Sequence, residues 1–154
     1  MISSPITKNE CCFYCNKDGV DYYKCIDTGT LFTLQTLDQS EKVGGEAEEE
    51  RNNTHNNARI NRIKKIDSNA VVLDFGCGHG YFVNCLRNAG ISADGYDPFD
   101  ESFFKMPSGL FTVVTLIEVI EHLQSPFKEI QLIADKLINE GILYIETSFQ
   151  KHIL

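Results

Sequence analysis

The sequence predicts an α/β fold, a doubly wound and mostly parallel sheet with a small cysteine-bearing module at its N-terminus. Three observations predict it. From residue 70 onward, apolar runs bounded by turn residues alternate with segments that carry helix start and stop signals. The runs are near-continuous in Val, Ile, Leu and Phe, the pattern of strands buried on both faces of a parallel sheet. Four of the six cysteines lie within residues 1–35 and set that stretch apart.

The bulk numbers suit this organisation. With 154 residues, 42% hydrophobic and 23% charged, the chain is long enough for one packed domain and an appendage, and global disorder is excluded. The formal net charge of −8 argues against a nucleic-acid polyanion as a broad-surface partner. Arg59, Arg62, Lys64 and Lys65 are the one local basic cluster, and an uncharged or cationic small molecule suits the charge balance better. No apolar run reaches membrane-spanning length, and residues 1–10 lack a signal-peptide core. The reading is therefore a cytoplasmic protein without a membrane span, whose cysteines are reduced thiols, metal ligands or core fillers.

Taken in order, residues 1–35 hold Cys11, Cys12, Cys15 and Cys25 around an aromatic stretch, and 30–34 alternates as a short strand. Residues 36–50, with the acidic run after Gly44-Gly45, read as a linker. Residues 51–66 place Ala58, Ile60, Ile63 and Ile66 on a mostly one-sided helical stripe, which Asp67-Ser68-Asn69 ends. A buried strand at 70–75 is followed by a helix at 81–89, stopped by Gly90, and a second strand at 91–96. Phe111–Ile117 is a third strand, β-branched and apolar at its centre. Ser125-Pro126 has the chemistry of a helix start. That helix continues to residue 137, Asn139-Glu140-Gly141 ends it, and 142–147 is a further strand. Residues 51–154 thus form the larger domain.

The chemistry concentrates after the first buried strand, in Asp74-Phe75-Gly76-Cys77-Gly78-His79-Gly80. Glycine permits positive φ and lets the backbone approach a ligand, while the helix that follows aims its N–H groups at the same spot. A carboxylate or phosphate suits that geometry. The dinucleotide fingerprint needs its third glycine one residue later, where Tyr81 stands, so a nicotinamide oxidoreductase ranks behind other readings. The second strand ends in Gly95-Tyr96-Asp97-Pro98-Phe99, which places an acid about 20 residues past the loop, where ribose hydroxyls are usually held.

The strings VVLDFGCGHGYF, GYDPF, TLIEVIEHLQSP and GILYIETS, in this order, resemble the class I S-adenosylmethionine-dependent methyltransferases. The likeness covers residues 70–148 well and 10–66 loosely, and is nearest to small-molecule and sugar-type members with a cysteine-bearing N-terminal segment. It implies a Rossmann-like fold and S-adenosyl-L-methionine as cofactor. It further implies that Asp74, Gly76, Cys77, Gly78 and Gly80 wrap the methionine part and that Asp97 holds the ribose. Phe99 would flank the adenine, Ile117 would line the pocket and Arg59 would meet the cofactor carboxylate, with a surface salt bridge as its alternative. Residues 100–110 are too short for the helix plus strand expected there, which leaves adenine recognition open.

Past the third strand stand Glu118, Glu121 and His122. Positions i and i+3 of a helical turn face the same way, so two carboxylates and an imidazole here can hold a divalent ion. His122, with Glu121, can instead serve as the catalytic pair that deprotonates an acceptor, or simply cap the turn; all three roles stay open. Cys12, Cys15 and Cys25 resemble part of a zinc ribbon, but Thr28 occupies the fourth place and Cys11 is an awkward substitute, so zinc is doubtful. Cys77 and Cys85 read as small apolar fillers.

Two functions compete: methyl transfer to an O, N or C atom of a small-molecule acceptor, and a non-catalytic cofactor-binding or interaction module derived from such an enzyme. The related fold continues past Thr147 with a helix and two strands, whereas this sequence stops at Leu154. The expectation is an exposed last strand, self-association through it, and weak turnover.

Overall fold

The computed structural model describes residues 2–3, 8–17, 19–34, 46–123 and 125–147, without the side chains of 17 and 46–52. Most of the stretch expected as linker, and everything after residue 147, lies outside the described residues. The chain divides into two compact units, one built around Met1–Val43 and one from residues 44–124 and 128–148.

The first unit is a three-stranded antiparallel sheet of β1 (Cys11–Lys17), β2 (Val20–Cys25) and β3 (Leu31–Thr33), in that order. Phe13, Tyr23 and Phe32 oppose one another across the strands, with ring centroids 6.1 and 6.0 Å apart. Such cross-strand aromatic contacts are the unit of sheet stabilisation. The register sets where the three thiols that resemble part of a zinc ribbon stand. Cys11 faces Cys25, whereas Cys12 faces Lys24 and, past a bulge, Cys15 faces Tyr22. Successive side chains alternate faces, so Cys12 and Cys15 project from one face and Cys25 from the other. Cys25 is buried and Cys12 is exposed, with its Sγ directed at the Lys24 carbonyl. Three thiols so divided do not reach one ion.

The second unit holds α1 (Glu46–Ile66), β4 (Val71–Phe75), α2 (Tyr81–Asn88), β5 (Ser92–Tyr96), β6 (Phe111–Ile117), α3 (Pro126–Ala134) except its first two residues, and β7 (Leu137–Glu146). The four strands form an all-parallel sheet in the order β5-β4-β6-β7. This is the Rossmann-like arrangement that the strand–helix alternation predicts. Residues 100–110 hold only turns, bends and unclassified backbone.

Two elements differ from expectation. α1 begins at Glu46, inside the stretch read as linker, because Glu and Ala form helix well and acids suit its positive N-terminal end. α3 stops at Ala134 rather than continuing to Leu137, and β7 starts at Leu137. Asn139-Glu140-Gly141 lies within β7, where the register jumps from Phe111–Leu137 to Val113–Ile142 and Glu140 has φ 62°. The same residue types stop helices and bulge strands, and here the bulge holds.

Strand alternation divides the core into two layers. Val72 and Val113 pack with Ile60, Ile63, Phe82, Val83 and Leu86 of α1 and α2. Leu73, Val114 and Leu116 pack with Ile133 of α3 on the opposite face. Each of these leucine and isoleucine side chains contributes about 1.5–3 kcal/mol by leaving water. No described helix is long and apolar enough to cross a membrane.

Candidate active site at the strand ends

The apolar layer beneath α1 ends in a polar one. At the carboxyl ends of β4, β6 and β7, Asp74, Thr115 and the Tyr144–Glu146 pair follow the face that carries Val72, Val113 and Ile142. Asp74 is buried, and its Oδ1 accepts a hydrogen bond of 2.6 Å from the Thr115 hydroxyl, its register partner across the sheet. Burial pushes the Asp74 carboxyl up to about 6, against the Thr115 hydrogen bond and the Arg59 charge, which favour the ionised form. Such crevices beyond the carboxyl ends of strands are where open α/β sheets bind ligands.

A stability prediction arises here. The folded-state pKa of Asp74 is raised, so its contribution to stability is full below about pH 4 and is lost as pH rises through about 6. Asp74→Asn keeps an acceptor for Thr115 and removes the buried charge. The variant is expected to be more stable than the parent by roughly 1–3 kcal/mol at pH 7, and equal to it near pH 4. Urea denaturation of both proteins across that range measures the difference, and parallel pH profiles would refute the assignment.

After Phe75 the chain enters the glycine loop. The Gly76 and Cys77 N–H groups donate to the Tyr96 carbonyl at 2.7 and 3.2 Å, which ties the ends of β4 and β5 together. Gly78 has φ 53°, and a Cβ built there would meet nothing within 4 Å, so its backbone lies open to an incoming group. Gly80 then caps α2. The Cys77 thiol is pushed up to about 12, first by burial and then by the Asp74 and Asp97 charges. It stays protonated and packs against the first core layer, which fits a filler rather than a nucleophile.

Asp97 joins the two loops. Its Oδ2 accepts the Gly78 N–H and its Oδ1 the Phe99 N–H, each at 2.9 Å. A turn closed by Asp97 N–H to Phe103 carbonyl follows, and Asp100 pairs with His79 at 2.5 Å, which holds the Asp100 carboxyl below its ordinary value. Phe99 projects into solvent, 82% exposed, beside this turn. Ile117 is half-buried against the α1 layer at the end of β6.

Arg59 reaches this layer from α1. Its Nε and Nη2 both donate to Glu146 Oε1, at 3.0 and 2.5 Å, and its Nη1 donates to Asn56 Oδ1 at 2.7 Å. The Arg59 hydrogen bonds are the largest influence holding the Glu146 carboxyl below its usual range.

The Glu-x-x-Glu-His string is not gathered as the spacing implies. Glu118 leaves β6 at φ 53°, and the 3-10 turn covers only Ile120–His122, so Glu118 and Glu121 are not i and i+3 of one helix. Glu118, Glu121 and His122 are all exposed. Among the described residues no three His, Cys, Asp or Glu side chains come together to hold a metal ion.

Against this geometry, the sequence model described as "Methyltransferase domain" matches residues 47–153. The chain belongs to the class I S-adenosylmethionine-dependent methyltransferases. The match takes in all but the first residue of α1, the four-stranded sheet and the helices between its strands. Methyltransferase activity in general follows from it. No curated protein and no solved structure matches the chain.

Three polar residues of the strand-end layer, Thr115, Tyr144 and Glu146, stand outside the sequence-predicted site. Thr115 is legible as one of two hydroxyls in β6, the one nearer its carboxyl end. Glu146 was legible only as an acid ending a strand, because its partner Arg59 stands 87 residues away in the chain.

Proposed function

We propose that this methyltransferase binds S-adenosylmethionine at the glycine loop and methylates an O, N or C atom of a small-molecule acceptor. The observation that carries the reading is the bond from the Gly78 N–H to Asp97 Oδ2. It sets a ribose-type acid against an open backbone cradle, and both residues are only partly exposed. Asp97 keeps lone pairs for two hydroxyls, Phe99 offers an exposed ring to a purine, and Ile117 supplies an apolar wall. Arg59 carries the charge that suits the cofactor's carboxylate. When bound, the cofactor supplies an electrophilic methyl group on a sulfonium. The chain's own work is to orient the acceptor and take its proton, for which His122 and Glu121 stand exposed just past β6.

The exposure of those two residues favours a second reading, a cofactor-binding module without turnover. Calorimetry with S-adenosylhomocysteine and with NAD tests the first step. The expected result is binding of the former only, and binding of NAD alone would overturn the proposal. Methyl release from labelled S-adenosylmethionine in the presence of small hydroxyl and amine acceptors then separates enzyme from module.

A further inference from the structure

We propose that Glu146 is a placeholder carboxylate: it occupies Arg59 until the carboxylate of the cofactor's methionine part takes that position. The inference rests on the cofactor reading above and goes beyond it, since it assigns a role to a residue at the end of β7.

The contact has the features of an exchangeable pair. Arg59 is largely buried, its side chain 11% exposed, while Glu146 is 31% exposed. Both guanidinium donors fall on a single oxygen, Oε1, rather than on the two oxygens of a fork-to-fork pair. Each partner keeps company when the other leaves. Arg59 retains Asn56 Oδ1, and Glu146 Oε2 already accepts the Tyr144 hydroxyl at 2.9 Å, with Arg62 Nη1 3.8 Å away. Neither charge is then stranded without a partner, the event that makes breaking a buried pair costly.

The location fits as well. Arg59 acts electrostatically on Asp74, the residue that opens the glycine loop, and contacts Glu146, two strands away in the sheet. It therefore serves the carboxyl ends of β4 and β7 from one position on α1. An incoming carboxylate near the glycine loop competes for this cation with an internal one, and a ligand's apparent affinity falls by whatever the competing state must give up.

The test is calorimetric titration of S-adenosylhomocysteine into the parent, Glu146→Gln and Glu146→Ala. With the competitor weakened or removed, affinity should rise, on the order of fivefold in Glu146→Ala and less in Glu146→Gln. Arg59→Gln should weaken binding in the same assay. A purely architectural salt bridge predicts the opposite sign for Glu146, because a loosened α1 lowers affinity. Circular dichroism establishes that each variant is folded. Parent binding with unchanged or weaker binding in both folded Glu146 variants overturns the placeholder role alone. Absence of binding by the parent overturns the cofactor reading, and this role with it.

Discussion

Asp97→Ala is expected to lower affinity for S-adenosylhomocysteine by at least about a hundredfold, the largest single-residue effect in the site. Two losses combine. Each charge-assisted hydrogen bond to a ribose hydroxyl contributes about 1.5–3 kcal/mol, and both bonds go with the carboxylate. The Gly78 and Phe99 N–H groups also lose their acceptor, so the glycine loop and the turn after β5 lose their shared anchor. Asp97→Asn is expected to recover little. Both oxygens face N–H donors in the parent, and an amide must turn its NH2 toward one of them. Calorimetry reads the affinity and thermal melting reads the fold. Affinity within threefold of the parent in a folded Asp97→Ala protein would remove Asp97 from the cofactor site.

Gly76→Ala is expected to destabilise the fold by roughly 2–4 kcal/mol, a large fraction of the 5–15 kcal/mol typical of a domain. Gly76 has φ 80°, which costs an L-residue about 1–2 kcal/mol by itself. A Cβ there would also stand 2.4 Å from Val119 Cγ2, 3.1 Å from Cγ1 and 3.3 Å from Cβ. Val119 is β-branched and stiff at χ1, so the methyl groups cannot simply rotate away. The two parts separate in a double-mutant cycle. In a Val119→Ala background the clash is relieved and only the backbone strain should remain. Urea midpoints of the four proteins supply the cycle. A Gly76→Ala protein within 0.5 kcal/mol of the parent would show that the loop relaxes freely.

Val119 also explains why the loop after β6 matters to the glycine loop. It stands one residue past Glu118, whose positive φ re-aims the chain as it leaves the sheet. That turn brings Val119 over Gly76 and, at the same time, dissolves the helical spacing that a metal reading of Glu118 and Glu121 requires. No feature of the string Glu118-Val119-Ile120-Glu121-His122 announces a left-handed residue at its start, because glutamate rarely adopts one.

Local signals were sufficient where a single segment decides its own conformation. The strands at 71–75, 92–96 and 111–117, the helix ended by Ala89-Gly90, and the loop of alternating glycines all follow from residue type and period, and the described sheet has them in that form. The order of glycine loop, ribose-type acid and third strand was therefore enough to indicate the class of fold. Pairing decided the remainder. Whether Asn139-Glu140-Gly141 stops a helix or bulges a strand depends on β6 lying alongside, since the bulge exists only as a mismatch between two strands. Whether Cys12, Cys15 and Cys25 share an ion depends on the register of β1 against β2, which assigns them to opposite faces. Arg59 is the sharpest case. Its residue type suits an anion from anywhere, and only the packing of α1 over the strand ends selects Glu146, because charge has range but no memory of sequence separation.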